Sequence, residues 1–208
     1  MGFRHVKGLG VRERGCLEGL PRPFEDLDTF VRRSRLKLPA LLSLAECGAF
    51  ESLGLERRDA LWALRARVPA ARDTLPSSPV KERVAFAGLG GSEQVIWDYR
   101  AVGHSTRGHP MDALRGWLQR AGKRSASEVL QLPHDSSVDC VGLKICCQQP
   151  SSGSGVTFMT LEDEEGFVNV VIWPDLYARS RLLIRSTGVL GVRGVIQSAE
   201  GVVHVIAG

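Results

Sequence analysis

Apolar residues recur three and four apart over residues 1–72 and alternate with polar ones after Pro133, so a helical half precedes a β half. In PFEDLDTFVRRSRL, Phe24, Leu27, Phe30 and Val31 share one helix face. Acidic residues come early there, and Arg32, Arg33 and Arg35 come late, the order that complements a helix dipole. The Asp26-x-Asp28 pair falls inside this predicted helix, where its two carboxylates point to different sides. Pro39 suits the first turn of a second helix, because its missing N–H costs nothing there. Leu41, Leu42, Leu44 and Ala45 supply that helix's apolar stripe and Gly48 its stop. A third helix is predicted over roughly Arg57–Val68, around Ala60, Leu61 and Leu64. Residues 69–92 hold three prolines, several serines and three glycines, the composition of a linker. Two further helical patterns follow near Glu93–Val102 and Met111–Ala121.

The β half contains five short segments rich in Val, Ile and Thr: VDCVGLKICCQ, GVTFMTLED, FVNVVIW, GVLGVRGVIQ and VVHVIAG. Turn signals separate them at Pro150–Gly155, Glu164–Gly166 and Glu200–Gly201. Between the third and fourth lies PDLYARSRLLI, long enough for a short helix. Five strands with a helix between the third and fourth is the order of an OB-fold barrel, which is favoured over a generic antiparallel sandwich. The fold class is therefore α+β. The expected organisation is a helical region at 1–75, a linker with connector helices at 76–136, and an OB barrel at 137–208.

Charge separates the same regions. Residues 1–75 carry 14 Lys and Arg against 10 Asp and Glu, residues 76–136 carry 8 against 6, and residues 137–208 carry 5 against 7. Electrostatic attraction to a polyanion is thus expected mainly in the helical half. The 43% hydrophobic and 24% charged residues are ordinary for a globular protein. No apolar run approaches the length of a membrane span, and the N-terminus lacks the apolar core of a secretion signal, so the chain reads as cytoplasmic. Five cysteines, an odd number without C-x-x-C spacing, argue against a zinc site or a disulfide framework. Vicinal Cys146 and Cys147 are expected to point to opposite faces of a strand and to pack.

Several residues are candidates for chemistry. Val6-Lys7-Gly8-Leu9-Gly10 is a hydrophobic-x-Gly-hydrophobic-Gly turn of the helix-hairpin-helix kind. In such a turn Gly8 and Gly10 let the backbone approach a phosphate and Lys7 adds a charge, although an ordinary glycine turn has the same sequence. Arg32 and Arg33 are candidate phosphate ligands, or else a solvated helix end. Phe158, Phe167, Trp173 and Tyr177 are candidate stacking platforms of which at least two are expected in the core; Lys144, Arg179 and Arg181 are nearby cations. Glu162-Asp163-Glu164-Glu165 reads as a solvated hairpin turn by default, with a magnesium site as the alternative. The DNA-binding candidates are therefore Lys7, Gly8, Gly10, Arg32, Arg33, Lys144, Phe158, Trp173, Arg179 and Arg181. No catalytic signature is present, the five histidines are scattered singly, and no catalytic or metal-binding residue is assigned.

Taken together, MGFRHVKGLG, PFEDLDTFVRRSRL and LLSLAECGAFESLGLERRDALW resemble the helix-hairpin-helix region of bacterial C-family (polymerase III alpha-type) DNA polymerases. WDYRAVGHSTRGHPMDALR resembles the connector that follows, and VTFMTLEDEEGFVNVVIWPDLYARSR the OB domain of the family's error-prone branch. The resemblance implies a C-terminal, noncatalytic piece of an enzyme of damage-induced, mutagenic translesion synthesis. Its magnesium-dependent chemistry belongs to palm carboxylates absent from these residues, so no cofactor is expected in this chain. By the same resemblance the chain holds single-stranded or primer–template DNA and docks a sliding clamp and accessory mutagenesis proteins. Alternatives are a protein-interaction module, in which the barrel docks a polymerase partner, and a nonfunctional truncated remnant. Gly15, Gly19, Pro21 and Pro23 weaken the helix expected after the hairpin, and the CQQPSSGSG loop is neutral where relatives carry Arg and Lys.

Overall fold

The computed structural model describes residues 2–20, 23–66, 86–151, 155–199 and 201–208. The chain forms two compact units, Met1–Arg107 and Gly108–Gly208. The residues expected as a connector are divided between them, and most of the expected linker, 69–85, lies outside the described residues.

The first unit is helical: α1 Val11–Glu18, α2 Leu27–Ser34, α3 Leu38–Glu46, α4 Arg57–Ala66 and α5 Gly91–Val102. Its core gathers Leu17, Leu27, Phe30, Leu41, Leu44, Phe50 and Leu64, with Phe24, Phe30 and Phe50 stacked edge to face at 5.0 and 5.1 Å. Helix α2 begins one turn later than its apolar pattern. Asp26 stands at the N-cap, not in the helix interior, and accepts a hydrogen bond from Thr29 N at 2.7 Å. Gly48, at φ +79°, stops α3, with its own N–H and that of Ala49 bonded back to Ala45 and Leu44. Helix α1 forms over eight residues despite Gly15, and Leu17 is its one buried residue.

The second unit holds α6 Asp112–Arg120, α7 Ala126–Leu130, β1 Ser137–Gln148, β2 Thr157–Asp163, β3 Gly166–Ile172, α8 Pro174–Ser186, β4 Val189–Ala199 and β5 Val202–Ala207. The strands close into a barrel in the order β1-β2-β3-β5-β4, with β3 and β5 parallel and the other pairs antiparallel. This is an OB fold, and the whole is α+β. Alternation accounts for it: Met159, Leu161, Val168, Val170, Val192, Ile196 and Val205 point inward and are buried. β1 serves both halves of the barrel by bending at a bulge between Lys144 and Cys146, its start pairing with β4 and its end with β2. Two glycines permit close approaches. A Cβ on Gly142 would lie 2.9 Å from Leu161 Cβ and 3.0 Å from the Glu162 carbonyl oxygen, and one on Gly194 would strike the Ile206 carbonyl. Among the described residues no helix is long and apolar enough to cross a membrane.

Candidate nucleic-acid interface

On a closed barrel one side of each strand faces out, and the register fixes which outward residues stand abreast. Across β1, β2, β3 and β5 one row is Gln148, Phe158, Val171, which is itself buried, and Ile206. The next is Cys146, Thr160, Asn169 and His204, followed by Leu143, Glu162 and Phe167. Phe158 is 39% and Phe167 53% exposed. Trp173, the N-cap of α8, is also 53% exposed and continues the alternation of Phe167, Asn169 and Val171. Of the four aromatics only Tyr177 packs against the core, and it is half-buried. The expectation that two or more would be buried is corrected: β2 and β3 fill the barrel with aliphatic residues, leaving their aromatics outside. Cys146 and Cys147 are neighbours on β1, and both are exposed.

The predicted cations divide by what their side chains already touch. Lys144 turns to the α8 side of the barrel, where its Nζ donates to the Ile184 carbonyl. Arg179 and Arg181 lie exposed on α8, with Arg179 Nε donating to the Asp175 carbonyl at 3.4 Å. In the helical unit, Lys7 closes the end of α5: its backbone N–H donates to Ala101 O at 2.9 Å and its Nζ to Tyr99 O at 3.1 Å. Gly8 has φ +85° and faces Ser43, while Gly10 is the N-cap of α1. Glu13 folds back over Gly10, its Oε2 2.7 Å from where a Cβ would stand. A carboxylate thus covers the helix N-terminus at which a phosphate would be expected. Arg32 and Arg33 are exposed near the end of α2. The structure therefore groups Phe158 and Trp173 on one face of the barrel, groups Lys7, Gly8 and Gly10 in one turn, and leaves the remaining candidates on separate surfaces within their units.

The acidic run is not a solvated turn. Asp163 is buried and accepts from Arg115 Nη2 at 2.8 Å, Ala126 N at 2.7 Å, Glu165 N at 2.9 Å and Gly166 N at 3.1 Å. Arg115 also forks onto Glu164, which raises the guanidinium's pKa. Glu165 accepts from the hydroxyls of Ser125 and Ser127, and those two bonds hold its carboxyl below the usual range. Nothing local in the sequence shows these pairings, because the partners are 37 to 49 residues apart. Among the described residues no three His, Cys, Asp or Glu side chains gather as a metal site would require.

Residues 140–208 match the family described as OB-fold nucleic acid binding domain. The error-prone DNA polymerase of Xanthomonas campestris pv. campestris (strain B100) is 39% identical over 210 residues, covering 100% of this chain and 19% of the relative. From end to end, the chain matches error-prone DNA polymerases. The error-prone polymerase of Caulobacter vibrioides is 35% identical over 221 residues, covering 100% of this chain and 20% of its own. That of Bradyrhizobium diazoefficiens is 39% identical over 197 residues, covering 89% and 17%. The chain spans about a fifth of the length of these error-prone polymerases. Among solved structures, a chain of the S. pombe Stn1-ten1 complex covers 38% of this chain and 57% of its own at 24% identity. Its TM-score of 0.31 is too low to carry a structural argument.

Proposed function

We propose that this chain is a noncatalytic part of an error-prone DNA polymerase that holds template or primer–template DNA, with the barrel taking single-stranded bases. The observation that carries this reading is the exposed pair Phe158 and Phe167 on the outer face of β2 and β3, the face on which OB folds bind oligonucleotides. Stacking on such rings is tolerant of sequence, because every base has a π face. The helical unit carries the net positive charge, with the Gly8–Gly10 turn, Arg32 and Arg33 as its phosphate ligands. Damage-induced synthesis and the magnesium chemistry belong to the whole of such a polymerase, and this part also docks its sliding clamp and accessory mutagenesis proteins.

Fluorescence anisotropy with labelled oligo-dT at low salt tests the reading. Binding in the micromolar range, weakening steeply as salt rises, is expected. Phe158→Ala or Phe167→Ala is expected to cost about 5- to 100-fold in affinity. No binding at tens of micromolar protein would refute it. Primer extension with magnesium should yield no incorporation by this chain.

A second reading has its own observation. Leu182 and Leu183 on α8 are 81% and 56% exposed, beside Arg179, Arg181 and Arg185. Such a surface suits docking of a protein partner of the polymerase, an accessory mutagenesis protein being the natural candidate.

A further inference from the structure

Helix α8 has its buried side complete: Ile184 lies in the barrel's core, and Leu176 and Tyr177 pack against that core. Its outward side is centred on Leu182, at 81% the most exposed large apolar side chain among the described residues. Arg179 and Arg185 stand three residues before and after Leu182, with the small Ala178 and Ser186 four residues before and after. The two arginines are therefore about 9 Å apart along the helix axis, one on either side of the leucine. Leu183, 56% exposed, extends the apolar surface, and Arg181 adds a third exposed cation. These charges are concentrated here, since three of the five Lys and Arg of residues 137–208 lie on α8. Elsewhere in the barrel unit cations are taken up: Arg115 by Asp163 and Glu164, Lys123 and Arg193 by Asp139, and Arg124 by Glu128. Among the described residues no carboxylate pairs with Arg179, Arg181 or Arg185. Of the three, only Arg179 uses a donor, on the Asp175 carbonyl at 3.4 Å.

The geometry points to α8 as the seat of an acidic–apolar protein segment, whose carboxylates pair with Arg179 and Arg185 while an apolar side chain covers Leu182. This deepens the reading of α8 as a protein-docking surface and rests on it. A leucine between two unpaired arginines asks for a partner that carries both chemistries within one short stretch. A phosphate backbone would satisfy the arginines and leave the leucines in water, whereas a peptide covers both. The spacing sets the partner's pattern as well. About 9 Å corresponds to three residues of an extended chain or six of a helix, so an extended segment reads Glu-x-x-Glu with apolar residues between.

The test uses the isotope-labelled full chain, two-dimensional amide NMR and three peptides: SGELLEGS, its neutral form SGQLLQGS and its basic form SGKLLKGS. The acidic peptide is expected to shift the amides of α8 and to saturate with a Kd of about 1 mM or below, since exposed ion pairs contribute little each. Leu182→Ser should weaken it about 3- to 10-fold. Arg179→Glu combined with Arg185→Glu should abolish acidic binding and transfer it to the basic peptide, a gain that a folding defect would not produce. If the neutral peptide binds the unsubstituted protein as tightly as the acidic one, α8 still docks protein and the acidic partner alone falls. If no peptide shifts α8, or if oligo-dT shifts it and the acidic peptide does not, both fall.

Discussion

Asp98 is buried in α5 and accepts hydrogen bonds from Arg57 Nη2 and Ser105 Oγ, each at 2.6 Å. Removing one partner of such a pair strands the other's charge away from water, so Asp98→Ala should cost about 3–5 kcal/mol, read from urea denaturation of the helical unit. Cys140 shows burial acting the other way. Its thiol is pushed up to about 12 by desolvation, reinforced by the charges of Asp139 and Asp163. Iodoacetamide should therefore modify the exposed Cys16, Cys146 and Cys147 in the native protein and reach Cys140 only after unfolding. Acid should act through Glu165 and Asp139. Burial works to raise the Asp139 carboxyl, but the hydrogen bonds and charges of Lys123 and Arg193 outweigh it and hold the group low. Glu165 is held low by Ser125 and Ser127. Both pKa values are lower in the folded than in the unfolded chain. Their contribution is thus complete above the ordinary carboxylate range near pH 4 and is lost as pH falls through the folded values. The melting temperature of the barrel unit should drop below about pH 4, and Glu165→Gln should flatten part of that drop.

At the scale of elements, what the sequence disclosed follows the range of the interactions that make each one. All five strands and α8 were legible, because alternation and turn residues are local signals that burial in the barrel reinforces. Helix α7 went unread although Ser125 and Glu128 spell a capping box, since five residues show too little periodicity to stand out. α2 was legible as a helix but misplaced at its start, because Phe24 continues the apolar spacing while packing from outside the helix onto Phe30. Asp26→Ala should accordingly lower the melting temperature of the helical unit, as the loss of an N-cap. The pairing of β4 with β5 depends on Gly194 having no side chain. Gly194→Ala should destabilise the barrel unit by about 1–3 kcal/mol, with the backbone forced off the Ile206 carbonyl. The candidate site was legible in its residue types only. Phe158 and Trp173 could be named, but that their face lies outside the barrel and centres on Asn169 is a matter of register, which no single strand's sequence contains.

For the molecule as a whole, each unit has its own core, and residues 108–208 should fold and melt cooperatively when expressed alone. A shorter piece, 137–208, would keep all five strands yet lose Arg115, Lys123, Ser125 and Ser127, the groups that face Asp163, Asp139, Glu164 and Glu165. Its melting point should be lower and its acid sensitivity altered, and the comparison of the two fragments by circular dichroism measures how much those ties contribute. The ion-paired turn between β2 and β3 also bears on descent. A barrel passed between genes by recombination inherits its acidic turn intact, whereas the arginine that neutralises it and the serines that hydrogen-bond it lie on the far side of any breakpoint drawn at the first strand. An exchange that cut there would leave the acidic turn without the arginine and the hydroxyls that it pairs with.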